Sequence, residues 1–288
     1  MINKPLFLFL SILALASLAC GVDVNLPNTD IKTGPTQTLD LNVQDPGEAD
    51  TTELTLAFGV GKLSVGPGAQ NALVTGTATF NVEDFRPEVI TDDEKVRIEQ
   101  GDLSIKGIPD FNDDIQNEWD LKLGSMPFRL IINAGAYSGK YEFGGLALES
   151  LEISDGAADV DVEFSEPNPT EMDLFRYNTG ASNVSIENIA NSNTSTFIFQ
   201  SGAGNYQLDF SGELKRDMVV NIESGISTLV ITMPEGVPAQ VTFEGGFANV
   251  DSSGAWEESG SSYQQEGSGP RITIIIEMGA GTLQLRNK

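Results

Sequence analysis

The chain has 288 residues, 40% of them hydrophobic, with 30 glycines and 13 prolines, the balance of a folded chain rich in turns. Its 42 Asp and Glu against 16 Lys and Arg give a net charge of −26. Such a surface repels the phosphates of nucleic acid and excludes a nucleic-acid role, while divalent cations and basic partners stay compatible with it. There is no histidine and one cysteine, Cys20, which excludes Ser-His-Asp and Cys-His catalytic sets, His-based zinc sites and a disulfide within the chain.

The chain opens with Lys4, an apolar run from Leu6 to Leu15 and the small-residue stretch Ala16 to Ala19. A charged start, about ten apolar residues and small residues before a cut describe a signal peptide over 1–19; a spanning helix needs about 20 apolar residues. Cys20 and Gly21 follow the cut and resemble the lipobox of bacterial lipoproteins, although Ser17 stands where that motif usually has Leu. The expectation is lipid attachment at Cys20, a membrane partner reached through that lipid, and a location outside the cell membrane. The alternative is an ordinary signal-peptidase site, since Ser17 and Ala19 are both small. Residues 20–48, rich in Asn, Thr, Pro, Asp and Gly, predict a flexible tether.

From residue 49 onward one pattern recurs, two alternating apolar residues, a glycine three positions on, and two more alternating apolar residues. It reads Leu54, Leu56, Gly59, Leu63, Val65, and returns around Gly135, Gly156, Gly180, Gly202, Gly225, Gly246 and Gly279. A weaker copy shows its left arm, Val96, Ile98 and Gly101, with Ile105 beyond. From Gly135 to Gly246 the glycines fall 21, 24, 22, 23 and 21 residues apart. Alternation on both arms predicts strands with one buried face, and the glycine suits either a positive φ or close packing between neighbouring units. A unit this short cannot bury its own apolar face. The fold class is therefore all-β, a β-solenoid or β-helix-like stack of about 22-residue strand-bend-strand rungs, with a β-sandwich as the alternative. The divisions are an N-terminal β region with interrupted rungs over 49–128 and regular repeats over 129–288, broken by a Ser, Gly and Glu-rich insertion at 251–270. Trp256 and Tyr263 in that insertion either contact a ligand or tuck back as a plug on an open solenoid end.

Seven residues beyond successive glycines lie Glu142, Glu163, Glu187 and Asp209, outward positions that stacking would bring into a ladder about 4.8 Å apart. Calcium bridging these carboxylates is one reading; a solvated acidic stripe is the other, and no calcium-loop spacing occurs. No other cofactor is expected. Asp159 and Asp161 near the same stripe are candidates for a carboxylate pair of a polysaccharide-active β-helix enzyme. No phosphate loop, nucleophile elbow or zinc spacing accompanies them.

The segments NEWDLKLGSMPFRLIINAGA, LALESLEISDGAADVDVEFSEPNP, LFRYNTGASNVSIENIANSN, FIFQSGAGNYQLDFSGEL and VNIESGISTLVITMPEGVPAQV, in the stretch from Asn117 to Phe243, resemble the toast-rack family of bacterial envelope proteins. That family is similar to the C-terminal domain of LiaF-like antibiotic-response proteins and to adhesins with the same solenoid. The resemblance implies a membrane-tethered β-solenoid with a role in envelope sensing or adhesion, and brings no catalytic residues with it. It departs from the LiaF-like arrangement in lacking their transmembrane helices. The expected function is a non-catalytic structural, adhesion-like or interaction role in the cell envelope, with envelope proteins or polysaccharide as partners. An envelope-stress accessory and a polysaccharide-active enzyme are the alternatives.

Overall fold

The computed structural model describes residues 28–29, 31–47, 51–101, 108–109 and 115–288. The signal peptide, Cys20 and Ile105 lie outside the described residues.

In chain order the strands are β1 (Asn28–Thr29), β2 (Gln37–Val43), β3 (Thr52–Pro67), β4 (Val74–Phe80), β5 (Pro87–Asp92), β6 (Lys95–Gln100), β7 (Ile108–Pro109), β8 (Asn117–Leu123) and β9 (Phe128–Glu142). They continue as β10 (Leu148–Glu163), β11 (Leu174–Glu187), β12 (Thr196–Asp209), β13 (Met218–Met233), β14 (Ala239–Ser252), β15 (Glu257–Ser259), β16 (Ser262–Gln265) and β17 (Ile272–Asn287). Eight of them are long, and these stack in parallel in the order β3-β9-β10-β11-β12-β13-β17-β14. The expected all-β stack of strand-bend-strand rungs is therefore what the chain forms.

Each long strand carries both arms of the repeat, with inward residues on either side of its glycine. Register is strict. Leu54, Leu130, Leu151, Phe175, Phe197, Val220, Ile274 and Val241 line up from rung to rung, all fully buried. Where aromatic residues meet in this register they pack directly: the rings of Phe175 and Phe197 stack with centroids 4.5 Å apart.

The glycines are explained by close approach between rungs. A Cβ on Gly135 would stand 2.3 Å from the carbonyl oxygen of Gly59, on Gly180 2.4 Å from that of Gly156, on Gly202 2.5 Å from that of Gly180, and on Gly225 2.4 Å from that of Gly202. None of these glycines has a positive φ. Stacking distance selects glycine here.

The return segments are pinned by buried asparagines. Asn168 Nδ2 donates to the Leu148 carbonyl at 2.8 Å. Asn191 Nδ2 donates to the Phe164 carbonyl at 2.8 Å while its Oδ1 accepts from Glu213 N–H at 2.8 Å. Each side chain thus satisfies backbone groups that no strand ladder reaches.

Three arrangements differ from the sequence expectation. Residues 37–43, expected within the tether, form β2, paired antiparallel with β4 through Leu41 and Val43, which are both buried. The rung of Val96 and Ile98 takes its right arm from β8: β6 and β8 both pair with β3 on the side away from β9, and β8 contributes buried Trp119 and Leu121. Lastly β17 inserts between β13 and β14, so the last strand in sequence is not the last rung in space. The residues carry the reason. Ile274, Ile276, Leu283 and Leu285 of β17 are all fully buried, whereas the corresponding right arm of β14 ends in partly buried Val250 and exposed Ser252. An arm that apolar needs a neighbour on both sides, and β14 tolerates the end of the stack.

Candidate functional site

The outward row next to the glycine row changes character along the stack. In spatial order it reads Ala57, Asn133, Ser154, Asn178, Gln200 and then Glu223, Glu277, Glu244. The three glutamates are exposed, occupy the same register position on adjacent strands, and take part in no ion pair among the described residues. Gln200 Nε2 donates to Glu223 Oε2 at 3.0 Å. Together with the bare backbone of Gly225, Gly279 and Gly246 they line an open groove of about 600 Å³ across four rungs. At the other end of the stack the glycine row opens a second, smaller groove beside Gly59. There Gln100 Oε1 accepts from Gly59 N–H at 2.9 Å and from Asn117 Nδ2 at 2.8 Å, joining β3, β6 and β8 across the break.

The row immediately beyond the glycines is apolar and outward. It ends with Ile226, Ala280 and Phe247 on β13, β17 and β14, where Ile226 is 69% and Phe247 91% exposed. A phenylalanine this bare at the last rung is a large apolar surface with no packing role in the fold.

The stripe predicted from the repeat also exists in register. Glu163 pairs with Glu142 on one side and Glu187 on the other, and Asp209 continues the row one strand on. Several of its carboxylates have other partners. Glu142 Oε1 accepts from Gly144 N–H at 2.6 Å and Ser165 N–H at 3.2 Å, Asp209 meets Lys288 Nζ at 3.1 Å, and among the described residues no three acidic groups converge as metal ligands would. Asp159 and Asp161 are exposed on β10, with Ser138 and Lys140 at the paired positions of β9.

Trp256 and Tyr263 belong to the cap. Tyr263 is buried, its strand β16 lying antiparallel along Ala239–Thr242 of β14, and Trp256 packs partly buried against the core. Their position fits the plug reading, with Tyr263 buried and Trp256 partly buried. The glutamate row at the groove was missed because it lies two residues before the glycine, where the middle rungs have neutral side chains. Only alignment of the last rungs, with β17 moved inward, brings the three together.

Inside the bend the polar side chains form a closed set. Asp155 accepts from Tyr177 Oη at 2.7 Å, from Tyr137 Oη at 3.3 Å, from Ser182 Oγ at 3.4 Å and from Thr179 Oγ1. Burial, with the Asp155 charge adding to it, pushes the Tyr137 and Tyr177 phenols above the ordinary tyrosine value. This network satisfies a half-buried carboxylate within the corner.

Residues 28–187 match the family model for the N-terminal domain of toast_rack, DUF2154. No curated protein matches the sequence. Among solved structures, a candidate cell adhesion protein from Clostridium sporogenes superposes with a TM-score of 0.51 at 21% identity, covering 88% of this chain and all of its own. A candidate adhesin from Bacteroides fragilis gives 0.44 at 13% identity, over 90% of this chain and 100% of that one. A candidate lipid binding protein from Parabacteroides distasonis gives 0.39 at 10% identity, over 90% of this chain and 99% of that one. At these identities the first likeness speaks to the fold alone, which it shares over its whole length. With the family model covering more than half of the sequence, the chain belongs to the toast_rack family.

Proposed function

We propose that this protein is a non-catalytic interaction protein of the bacterial surface, held outside the membrane by lipid on Cys20, with its solenoid presenting an acidic outer face to a partner. The observation that carries the reading is the glutamate row of Glu223, Glu277 and Glu244. Three stacked carboxylates without ion-pair partners among the described residues repel one another by about 1 kcal/mol per pair in water and serve no packing purpose. Fold relatives named for adhesion support a surface role. Cys20 supports the anchor as the sole cysteine of the chain, directly after an apolar leader.

Two measurements on cells test the reading. Mass spectrometry of the mature N-terminus is expected to find an acylated cysteine; an unmodified Cys20, or cleavage elsewhere, removes the anchor. Deletion of the gene is expected to lower adhesion of the cells to surfaces coated with basic protein, and unchanged adhesion removes the interaction role.

A further inference from the structure

The stack ends on an open edge. β14 pairs with β17 along one side from Ala239 to Ser252, but on its other side β16 covers only Ala239–Thr242, with one further bond from Phe243 N–H to the Ser261 carbonyl at 2.9 Å. From Glu244 to Ser252 no strand lies on the outer side among the described residues. An edge of this length with unpaired N–H and C=O groups is a template for another strand, and proteins that do not use such an edge usually blunt or cover it. Here the first part is covered and the longer part, 244–252, is left bare, with Phe247 standing 91% exposed on it.

The register fixes what a further rung would have to be. Its residue opposite Glu244 would join the row Glu223, Glu277, Glu244, where a fourth carboxylate adds repulsion and a cation relieves it. Two residues on, it would meet Gly246, whose own missing Cβ would lie 2.8 Å from the Gly279 carbonyl; the same spacing requires glycine in the newcomer. One residue further it would cover Phe247. A second copy of this chain does not meet the first requirement, since its long rungs offer Ala57, Asn133, Ser154, Asn178, Gln200 or a glutamate at that position and never Lys or Arg.

We propose that the bare edge of β14 accepts an extended basic segment of another protein as an added parallel rung, with Lys or Arg opposite Glu244, Gly opposite Gly246 and an apolar side chain opposite Phe247. Backbone pairing along 244–252 supplies affinity, and the glutamate row supplies selectivity and draws the segment in from solution. This deepens the interaction role proposed above and rests on it for biological meaning.

The test uses the full chain and a synthetic peptide of residues 277–287 carrying Glu277→Lys, which β17 itself shows to be compatible with the register of β14. At about 50 mM salt this peptide is expected to bind at least about tenfold tighter than the unsubstituted peptide, and to slow amide exchange across 244–252. Glu244→Gln in the protein, an exposed change that leaves the fold intact, is expected to weaken it about fivefold. Methylation of alternate peptide amides on one edge is expected to abolish binding, and on the other edge to spare it. Equal affinity of the two peptides, indifference to which edge is methylated, or binding without protection of 244–252 overturns the proposal. Loss of cell adhesion in the deletion strain with no peptide binding rejects this site alone; peptide binding with unchanged adhesion rejects the surface role alone.

Discussion

Tyr177 on β11 donates a 2.7 Å hydrogen bond to Asp155 on β10, so that a phenol on one rung holds a carboxylate on the next inside the bend. Tyr141 Oη donates in turn to Tyr137 Oη at 2.9 Å. Hydrogen bonds to a charged acceptor are worth about 1.5–3 kcal/mol, and the corner supplies four donors. Asp155→Asn is expected to lower stability by about 2 kcal/mol in chemical denaturation. A change below about 0.5 kcal/mol would mean that the carboxylate is dispensable.

The same corner sets an alkaline limit. Burial raises the phenols of Tyr137, Tyr141 and Tyr177 above the usual tyrosine value of about 10, assisted by neighbouring charge. The folded chain therefore holds these protons more tightly than the unfolded chain. Their contribution is complete below about pH 10 and is lost as pH rises beyond it, when the unfolded state releases protons that the folded state keeps. Thermal melting should show a Tm that falls between pH 10 and pH 12, and Tyr177→Phe should flatten that fall. An unchanged slope in the variant would assign the alkaline loss to other groups.

The glycine row makes a prediction about sign. In Gly202→Ala the new methyl meets the Gly180 carbonyl at 2.5 Å, backbone against backbone, which neither rung relieves without breaking its ladder. A loss of about 1–3 kcal/mol is expected. Gly66→Ala is the control: its nearest neighbour is Glu142 Cβ at 3.7 Å, an ordinary contact. There the reduced freedom of the unfolded chain should stabilise by about 0.4–1 kcal/mol. Equal effects at the two positions would show that the row is not set by stacking distance.

How much of this was legible follows from where each side chain points. The glycine spacing and the two alternating arms give the stack and its register, because every rung repeats the same contacts; even the left arm of Val96 and Ile98 stands out. The order of rungs is another matter. β13, β14 and β17 share one pattern, and only the fully apolar right arm of β17 against Ser252 of β14 tells which lies inside. The right arm from β8 was obscured because Trp119 and Leu121 follow a long interruption after Gly101, with Trp119 18 residues beyond that glycine where Leu63 stands 4 beyond Gly59. The hydrogen-bonding role of Asp155 was illegible, since its pattern position next to the glycine is occupied by Ala134, Thr179 and Ser201 in neighbouring rungs. The hydroxyls that hold it are brought together only by stacking.

The acidic stripe yields the last prediction. Glu163 is exposed between Glu142 and Glu187, at the same register position on both neighbouring strands, and has no ion pair among the described residues. A lone pair of charges at rung spacing repels by about 1 kcal/mol in water, less once salt screens it. Glu163→Gln removes the central charge and keeps the shape, so it should raise the Tm at low ionic strength, and the gain should vanish near 1 M salt, where the screening length is about 3 Å. Calcium at millimolar concentration should leave the Tm of the unaltered chain where it is, because the Glu142 carboxylate already accepts backbone N–H groups and Asp209 is held by Lys288. A calcium-dependent rise that Glu163→Gln abolishes would show instead that the carboxylates rotate to share an ion across rungs, and the stripe would then be a metal site after all.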